Sequence, residues 1–235
     1  ALNDFYRTSR FNDFFNTHTD IYELGLQVFN DSVMAHFDQE WYTRFYGTPP
    51  AEQFRIIIGF TNGPCNYGPS RKLTGQPKEV FAIMNYAVDD NERPIFYKKV
   101  VETVVHEFCH SFTKIKGDTE KALEKSGKAL QEYTYFSMRR QAYSTWRNIL
   151  EESLVRAATI CYLIDHDYDE KDIRNAIIEQ VDRNFFWMPE LVQTLRYYES
   201  HRKKYPTFTS FYPEIIRFFD RYVTNMEKEM KKAMK

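Results

Sequence analysis

The chain has 235 residues, of which 43% are hydrophobic and 17% aromatic, so it can bury a sizeable core and is neither disordered nor fibrous. Its 32 Lys and Arg are balanced by 33 Asp and Glu, which argues against a nucleic-acid partner, since that class of protein is usually basic. No apolar run reaches the roughly 20 residues of a transmembrane helix. Three widely spaced cysteines do not indicate a disulfide framework.

The first half of the chain contains the only convincing strands. Apolar side chains at helical spacing predict two or three helices in residues 1–46. Two runs rich in β-branched and apolar residues then predict strands at 54–60 and 79–88. The loop between them contains Gly and Pro residues that prevent regular structure. We therefore expect a small sheet and a Gly-rich loop within residues 54–90.

The second half of the chain has the spacing of helices throughout. One helix is predicted over 96–116, ending at Gly117 as helices commonly do. Further helices are predicted at 118–139, 140–165, 170–184, 188–204 and 212–234. We predict a single α+β domain, predominantly helical, over residues 1–235. Its parts are N-terminal helices (1–46), the small sheet and loop (54–90), central helices (95–165) and C-terminal helices (170–234).

One short motif in the central helices is typical of a zinc enzyme. His106 and His110 have the H-E-x-x-H spacing, in which two imidazoles one helical turn apart bind zinc and the intervening Glu107 acts as general base. Chance alone produces this pattern in about 1% of shuffled chains of this composition. Helical geometry also places both histidines on a polar face with Glu102, opposite a face of Val and Phe. Two solvated surface histidines are the alternative.

A catalytic zinc normally has three protein ligands, so a further donor is required. The second histidine is not followed by the metzincin extension, which leaves a carboxylate from a later helix as the common solution. In the apolar helix that contains residues 149–160, Glu152 shares a polar face with Asn148 and Arg156, whereas Glu151 projects to the apolar side. We predict Glu152 as the third ligand, oriented by Arg156 and Asn148. An ordinary Glu–Arg helix pair is the alternative reading of Arg156.

Two residues farther along this helix are weaker candidates. Tyr162, near its end, and His166, in the turn that follows, could donate a hydrogen bond to a developing oxyanion. The alternative for His166 is a solvated side chain among four acids.

These motifs resemble a known family. HEFCHSF at 106–112, with NYG at 66–68 before it and ESLVRA at 152–157 after it, is similar to the gluzincin-type family catalogued as domain of unknown function 4932, a set of bacterial, largely exported proteins. The similarity covers about residues 54–165. The family has Asn at the position of Cys109, a departure that touches no ligand.

The resemblance implies a zincin-like fold in which His106, His110 and a downstream Glu bind the metal and Glu107 is the base. In zincins an edge strand before the H-E-x-x-H helix pairs with an extended peptide, which assigns that task to strand 79–88. A plain structural hairpin is the alternative.

The sequence therefore predicts a zinc metallopeptidase that binds one Zn²⁺ per chain and hydrolyses a peptide or protein substrate, with the oligomeric state left open. A different class remains as the alternative: a non-catalytic helical peptide- or protein-binding domain, either without zinc or as a zinc-retaining pseudo-peptidase, with a groove built from the 20 Phe and 17 Tyr. Hydrolysis of a non-peptide amide or ester uses the same chemistry. The first residue is not Met, and together with the resemblance this predicts an extracytoplasmic location (periplasmic, surface or secreted) in a bacterium.

Overall fold

The computed structural model describes residues 1–61, 63 and 65–234. Asn62 and Pro64, which belong to the predicted Gly-rich loop, and Lys235 lie outside the described residues. In the part described, the chain is predominantly helical with two small sheets, which confirms the predicted α+β class. None of the helices in that part combines the length and apolar character needed to cross a membrane.

The elements follow one another in a simple order. The helices are α1 (Leu2–Thr8), α2 (Phe11–Thr17), α3 (Thr19–Ser32), α4 (Glu40–Tyr46), α5 (Lys99–Cys109), α6 (Asp118–Tyr133), α7 (Tyr135–Arg140), α8 (Trp146–Asp165), α9 (Glu170–Asp182), α10 (Met188–Ser200) and α11 (Phe208–Ala233), with a 3₁₀ turn at Met34–His36. The strands are β1 (Gln53–Ile58), β2 (Ser70–Arg71), β3 (Glu79–Met84), β4 (Ala87–Val88) and β5 (Pro94–Ile95). The N-terminal region thus contains four helices rather than two or three.

The larger sheet has the order β1-β3-β2, so the two predicted strands do not form the hairpin given as the alternative. β1 and β3 run parallel, in register from Gln53 opposite Glu79 to Ile58 opposite Met84. A parallel pair requires a crossover, and residues 59–78 provide one long enough. The returning chain, through β2 and a bridge between Tyr67 and Ile83, covers the other side of β3. β3 is therefore the central strand, and the prediction that 79–88 is an edge for a peptide is wrong.

Several helix ends also differ from the predictions, and local hydrogen bonds explain the differences. α5 ends at Cys109 rather than near Gly117, because the next turn tightens to the shorter bond from Ser111 N–H to the Phe108 carbonyl (3.1 Å). α8 begins only at Trp146, because the hydroxyl of Thr145 accepts from the Asn148 N–H and caps the helix.

Aromatic packing fixes α5 and α8 relative to the sheet. The Phe108 ring of α5 stacks on Phe54 of β1 with centroids 4.1 Å apart, and the Tyr42 hydroxyl of α4 donates to the Val105 carbonyl at 3.1 Å. The largest fully buried side chains include Trp41 and Trp187. Much of the aromatic excess thus forms core, where each such side chain contributes a large buried apolar area. α8 lies at the centre of this core and carries two buried acids.

Candidate metal centre

The H-E-x-x-H segment lies at the end of α5 with its apolar side buried. Val104, Val105 and Phe108 are fully buried, and the two histidines project from the other side toward α8. His106 is in the last turn of the helix, and His110 is the residue that follows it, still in helical conformation. Their ring centroids are 5.1 Å apart with an interplanar angle of 84°.

Glu152 of α8 completes a group of three potential ligands. Its Oε1 lies 3.4 Å from His106 Nε2, its Oε2 lies 3.6 Å from His110 Nε2, and the ligand atoms of the group are all within 4.8 Å of one another. A tetrahedral zinc site with bonds of about 2.0–2.2 Å separates its ligand atoms by roughly 3.3–3.5 Å. Two imidazole nitrogens and one carboxylate at this spacing fit a zinc ion.

The protonation states favour metal binding. Burial lowers the pKa of His106 to about 4 and also lowers the pKa of His110, although Glu152 opposes both shifts. Burial would raise the pKa of Glu152, but His106, Arg156 and the other polar neighbours outweigh it and hold that pKa below its usual value. The close His–Glu contacts are therefore not ion pairs at neutral pH. The group consists of neutral imidazoles and an ionised carboxylate, the forms that bind metals.

Two neighbouring side chains hold Glu152 in place. The Tyr143 hydroxyl donates to its Oε1 at 2.9 Å, and Arg156 Nη2 lies 2.7 Å from the same oxygen. Arg156 in turn donates through Nη1 to Gln180 of α9 at 2.5 Å and through Nη2 to the Tyr143 hydroxyl at 3.0 Å. Arg156 was predicted for this place, whereas Tyr143 was missed. The Thr145 cap is the sequence signal that would have placed Tyr143 in the connection before α8 rather than in a helix.

The adjacent Glu151 contacts the chain that follows the H-E-x-x-H motif and not the histidines. Its Oε1 accepts from the Ile115 N–H at 2.8 Å, and its Oε2 lies 3.2 Å from Lys114 Nζ. Glu151 thereby anchors the segment that follows the H-E-x-x-H motif. Of the two acids, Glu152 is the one that the structure brings to the histidines.

Glu107 lies against the loop that precedes β2. A Cβ built on Gly68 would be 2.1 Å from Glu107 Oε2, so only glycine permits this approach. Burial, and then the charge of Glu152, raise the pKa of Glu107 to about 7. The loop itself is attached to the end of β3, because Asn66 Oδ1 accepts from the Asn85 N–H at 2.8 Å. A carboxylate with this pKa is suited to exchange a proton near neutral pH.

A cleft of about 880 Å³ opens beside these groups. Its lining includes His106 and Glu107 of α5, residues of α8 and α9, and the loop at 65–67. The candidate centre is therefore accessible from one side, as a substrate requires.

The structure does not bring the remaining candidates to this group. Asn148 is exposed in the first turn of α8. The Tyr162 hydroxyl donates to the His36 carbonyl at 3.1 Å and accepts from the Asp38 N–H at 2.9 Å. His166 is not a solvated turn residue, since its Nε2 lies 3.1 Å from Asp38 Oδ2. Ten residues of helix separate Tyr162 from Glu152, a rise of about 15 Å.

The comparisons with known proteins agree with part of the resemblance. No curated protein matches the chain. No solved structure matches it either. The model of a family described as a domain of unknown function (DUF4932) matches residues 1–218, a longer segment than the predicted 54–165, since it includes α1 to α10 and the start of α11. The chain belongs to the DUF4932 family.

Proposed function

We propose that the chain is a zinc-dependent metallopeptidase of the gluzincin type, with a zincin-like arrangement of its active-site helices. The observation that carries the proposal is the convergence of His106, His110 and Glu152 beside the carboxylate of Glu107. Two histidines and one carboxylate leave a fourth position for water or substrate, as catalytic zinc sites do.

The residues of the chain then have distinct tasks in peptide hydrolysis. A zinc ion held by the three ligands would supply a Lewis acid for the scissile carbonyl and lower the pKa of a water. Glu107 accepts a proton from the attacking water and delivers it to the leaving amine as the C–N bond breaks. Tyr143 and Arg156 keep Glu152 oriented while charge develops.

The loop before β2 supports a peptide as the substrate. The N–H and carbonyl of Tyr67 pair with Ile83 of β3 at 3.0 and 2.8 Å. Successive residues of a paired strand direct their main-chain groups to opposite sides, so those of Asn66 and Gly68 point away from β3. Gly68 also touches Glu107. An extended peptide paired with this edge would pass beside the proposed base. β3 cannot pair with a peptide, because it already lies between β1 and β2.

Metal analysis and a peptide library test the proposal together. We expect close to one zinc per purified chain, its loss in His106→Ala, and its retention without cleavage in Glu107→Gln. Wild-type protein should cleave a mixed peptide library, read by mass spectrometry, and a zinc chelator should stop it. A metal-free wild type under zinc-replete conditions would contradict the proposal. Stable capture of peptides without cleavage would favour the alternative, a zinc-retaining binding domain.

An extracytoplasmic location in a bacterium remains a prediction. Fractionation of cells that produce the full-length protein tests it, and recovery in the cytosolic fraction would contradict it.

A further inference from the structure

Most charged side chains of the cleft are paired with one another. Lys99 Nζ of α5 lies 2.5 Å from Glu179 Oε2 of α9, and Arg183 Nη2 lies 3.0 Å from Glu179 Oε1. Arg156 is paired with Glu152 at the metal group. These contacts leave no unpaired cation among the described residues that line the cleft.

Two cleft carboxylates are exceptions to this pairing: Glu107, which is the proposed base, and Glu102. Glu102 lines the same cleft from α5 and is partly buried, yet among the described residues no hydrogen bond or ion pair reaches its carboxylate. Burial raises the pKa of Glu102. The charges of Lys99 and Lys98 oppose this shift, and those of Glu179 and Asp172 add to it. Losing water without gaining a partner is unfavourable for a carboxylate, so a cation brought by a ligand would relieve the cost.

The surroundings of Glu102 suit one kind of cation. The lining of the cleft also contains Ile160 and Leu163 of α8 and Ala176 of α9, which are apolar. Glu102 precedes His106 by one helical turn, a rise of about 6 Å. Lys and Arg side chains consist of an apolar stem with a cationic head, and a stem that starts near the metal group could follow this apolar lining to Glu102.

We propose that this cleft is a specificity pocket for a Lys or Arg side chain next to the scissile bond, and that Glu102 is the residue that binds its charge. The inference rests on the proposed peptidase function, because only a peptidase has a scissile bond beside this pocket. The recognition itself is a property of the cleft and can be measured as binding.

Isosteric peptides isolate the charge in a direct test. N-acetylated quenched peptides with Lys or Arg would be compared with the same peptides carrying norleucine or citrulline, which keep the stem and lose the charge. We expect zinc-loaded wild type to prefer the cationic peptides by at least 10-fold in kcat/KM. Glu102→Gln should abolish this ratio, and Glu102→Arg should turn the preference toward peptides with Glu. Glu227→Gln, an exposed change in α11, is the control and should leave the ratio unchanged.

A binding measurement separates this inference from the proposed function. The same peptides would be titrated into zinc-loaded Glu107→Gln protein with and without Glu102→Gln. Binding that depends on Glu102, together with a zinc-loaded wild type that cleaves none of these peptides, would support the pocket and contradict the peptidase. Cleavage with no preference for the cation would leave the peptidase intact and overturn the pocket. A preference seen only for peptides with a free N-terminus would also overturn it, because the recognised group would then be the α-amine.

Discussion

Two adjacent glutamates in α8 separate metal binding from folding. Glu152 faces the histidines, whereas Glu151 bonds the Ile115 N–H and Lys114. Neighbours on a helix are about 100° apart around its axis, so one of them can serve the site while the other holds the next segment of chain.

We therefore expect opposite results from the same substitution at the two positions. Glu152→Gln should weaken zinc binding by well over the roughly 10- to 100-fold expected for Tyr143→Phe, which removes only a partner of the ligand. Glu151→Gln should bind zinc normally and lose at most about 1 kcal/mol of unfolding free energy, because Lys114 is half exposed and an amide oxygen can still accept from Ile115. Competitive zinc titration measures the zinc affinity of each variant, and urea unfolding measures its free energy of unfolding. Normal zinc binding by Glu152→Gln would mean that the third ligand lies elsewhere.

The second prediction at the scale of single residues concerns Gly68. Gly68→Ala would place a methyl group 2.1 Å from the present position of Glu107 Oε2, and the flexible carboxylate would move away. We expect zinc to be retained and peptide cleavage to fall by at least about 10²-fold, the range for loss of a general base. Thr74→Ala, an exposed change between β2 and β3, is the control. A double variant with Glu107→Gln should lose no more activity than Glu107→Gln alone. Additive losses would show that Gly68 acts independently of Glu107.

At the scale of elements, local patterns were readable in the sequence and long-range pairing was not. The apolar face of α5 and the polar side with both histidines follow from helical spacing, and the structure agrees with them. The parallel register of β1 and β3 depends on the crossover between them and on the return through β2, which two isolated strand signals cannot specify. Tyr143 was missed for a related reason, because its place depends on where α8 begins.

α9 lines the cleft without a fully buried side chain of its own. Its Ile173 and Ile177 side chains nevertheless pack against the core. Two ion pairs connect it to the start of α5: Lys98 with Asp172 at 3.3 Å and Lys99 with Glu179 at 2.5 Å. Because both lysines are mostly exposed, each pair contributes only about 0.2–1 kcal/mol.

Removal of both lysine charges should loosen α9 selectively. In a Lys98→Gln, Lys99→Gln variant we expect amide hydrogen exchange in α9 to become several-fold faster, since local opening costs less free energy. α10, which contains five buried residues, is the internal control and should exchange at the wild-type rate. The difference in α9 exchange rate between variant and wild type should shrink in 1 M salt, where exposed ion pairs are screened. Unchanged exchange in α9 would mean that its apolar contacts and the Arg156–Gln180 hydrogen bond set its stability without the two ion pairs.

At the scale of the whole molecule, a cluster of charges connects three helices far from the metal group. Trp41 Nε1 of α4 donates to Asp165 Oδ2 at the end of α8 (2.7 Å), and Arg196 of α10 pairs with Asp165. Arg196 Nη1 also lies 2.6 Å from Glu199 Oε2, so one guanidinium serves two carboxyl groups. Burial, and then the hydrogen bond and charge of Asp165, raise the pKa of Glu199 to about 8, a shift that Arg196 only partly opposes.

Glu199 should therefore make the stability of the folded chain depend on pH. The folded state keeps a proton that the unfolded state releases near the ordinary pKa of 4.5, so this contribution is full below about pH 4.5 and is lost as the pH rises to about 8. In Glu199→Gln an uncharged amide replaces the carboxyl group, and it can donate a hydrogen bond at every pH. We expect urea unfolding to give equal free energies for variant and wild type near pH 5. At pH 9 the variant should be more stable by on the order of 1–2 kcal/mol. The exposed change Glu227→Gln should leave the wild-type curve unaltered. A Glu199→Gln variant that is less stable than wild type at pH 9 would show that the carboxylate is ionised and that its pair with Arg196 dominates.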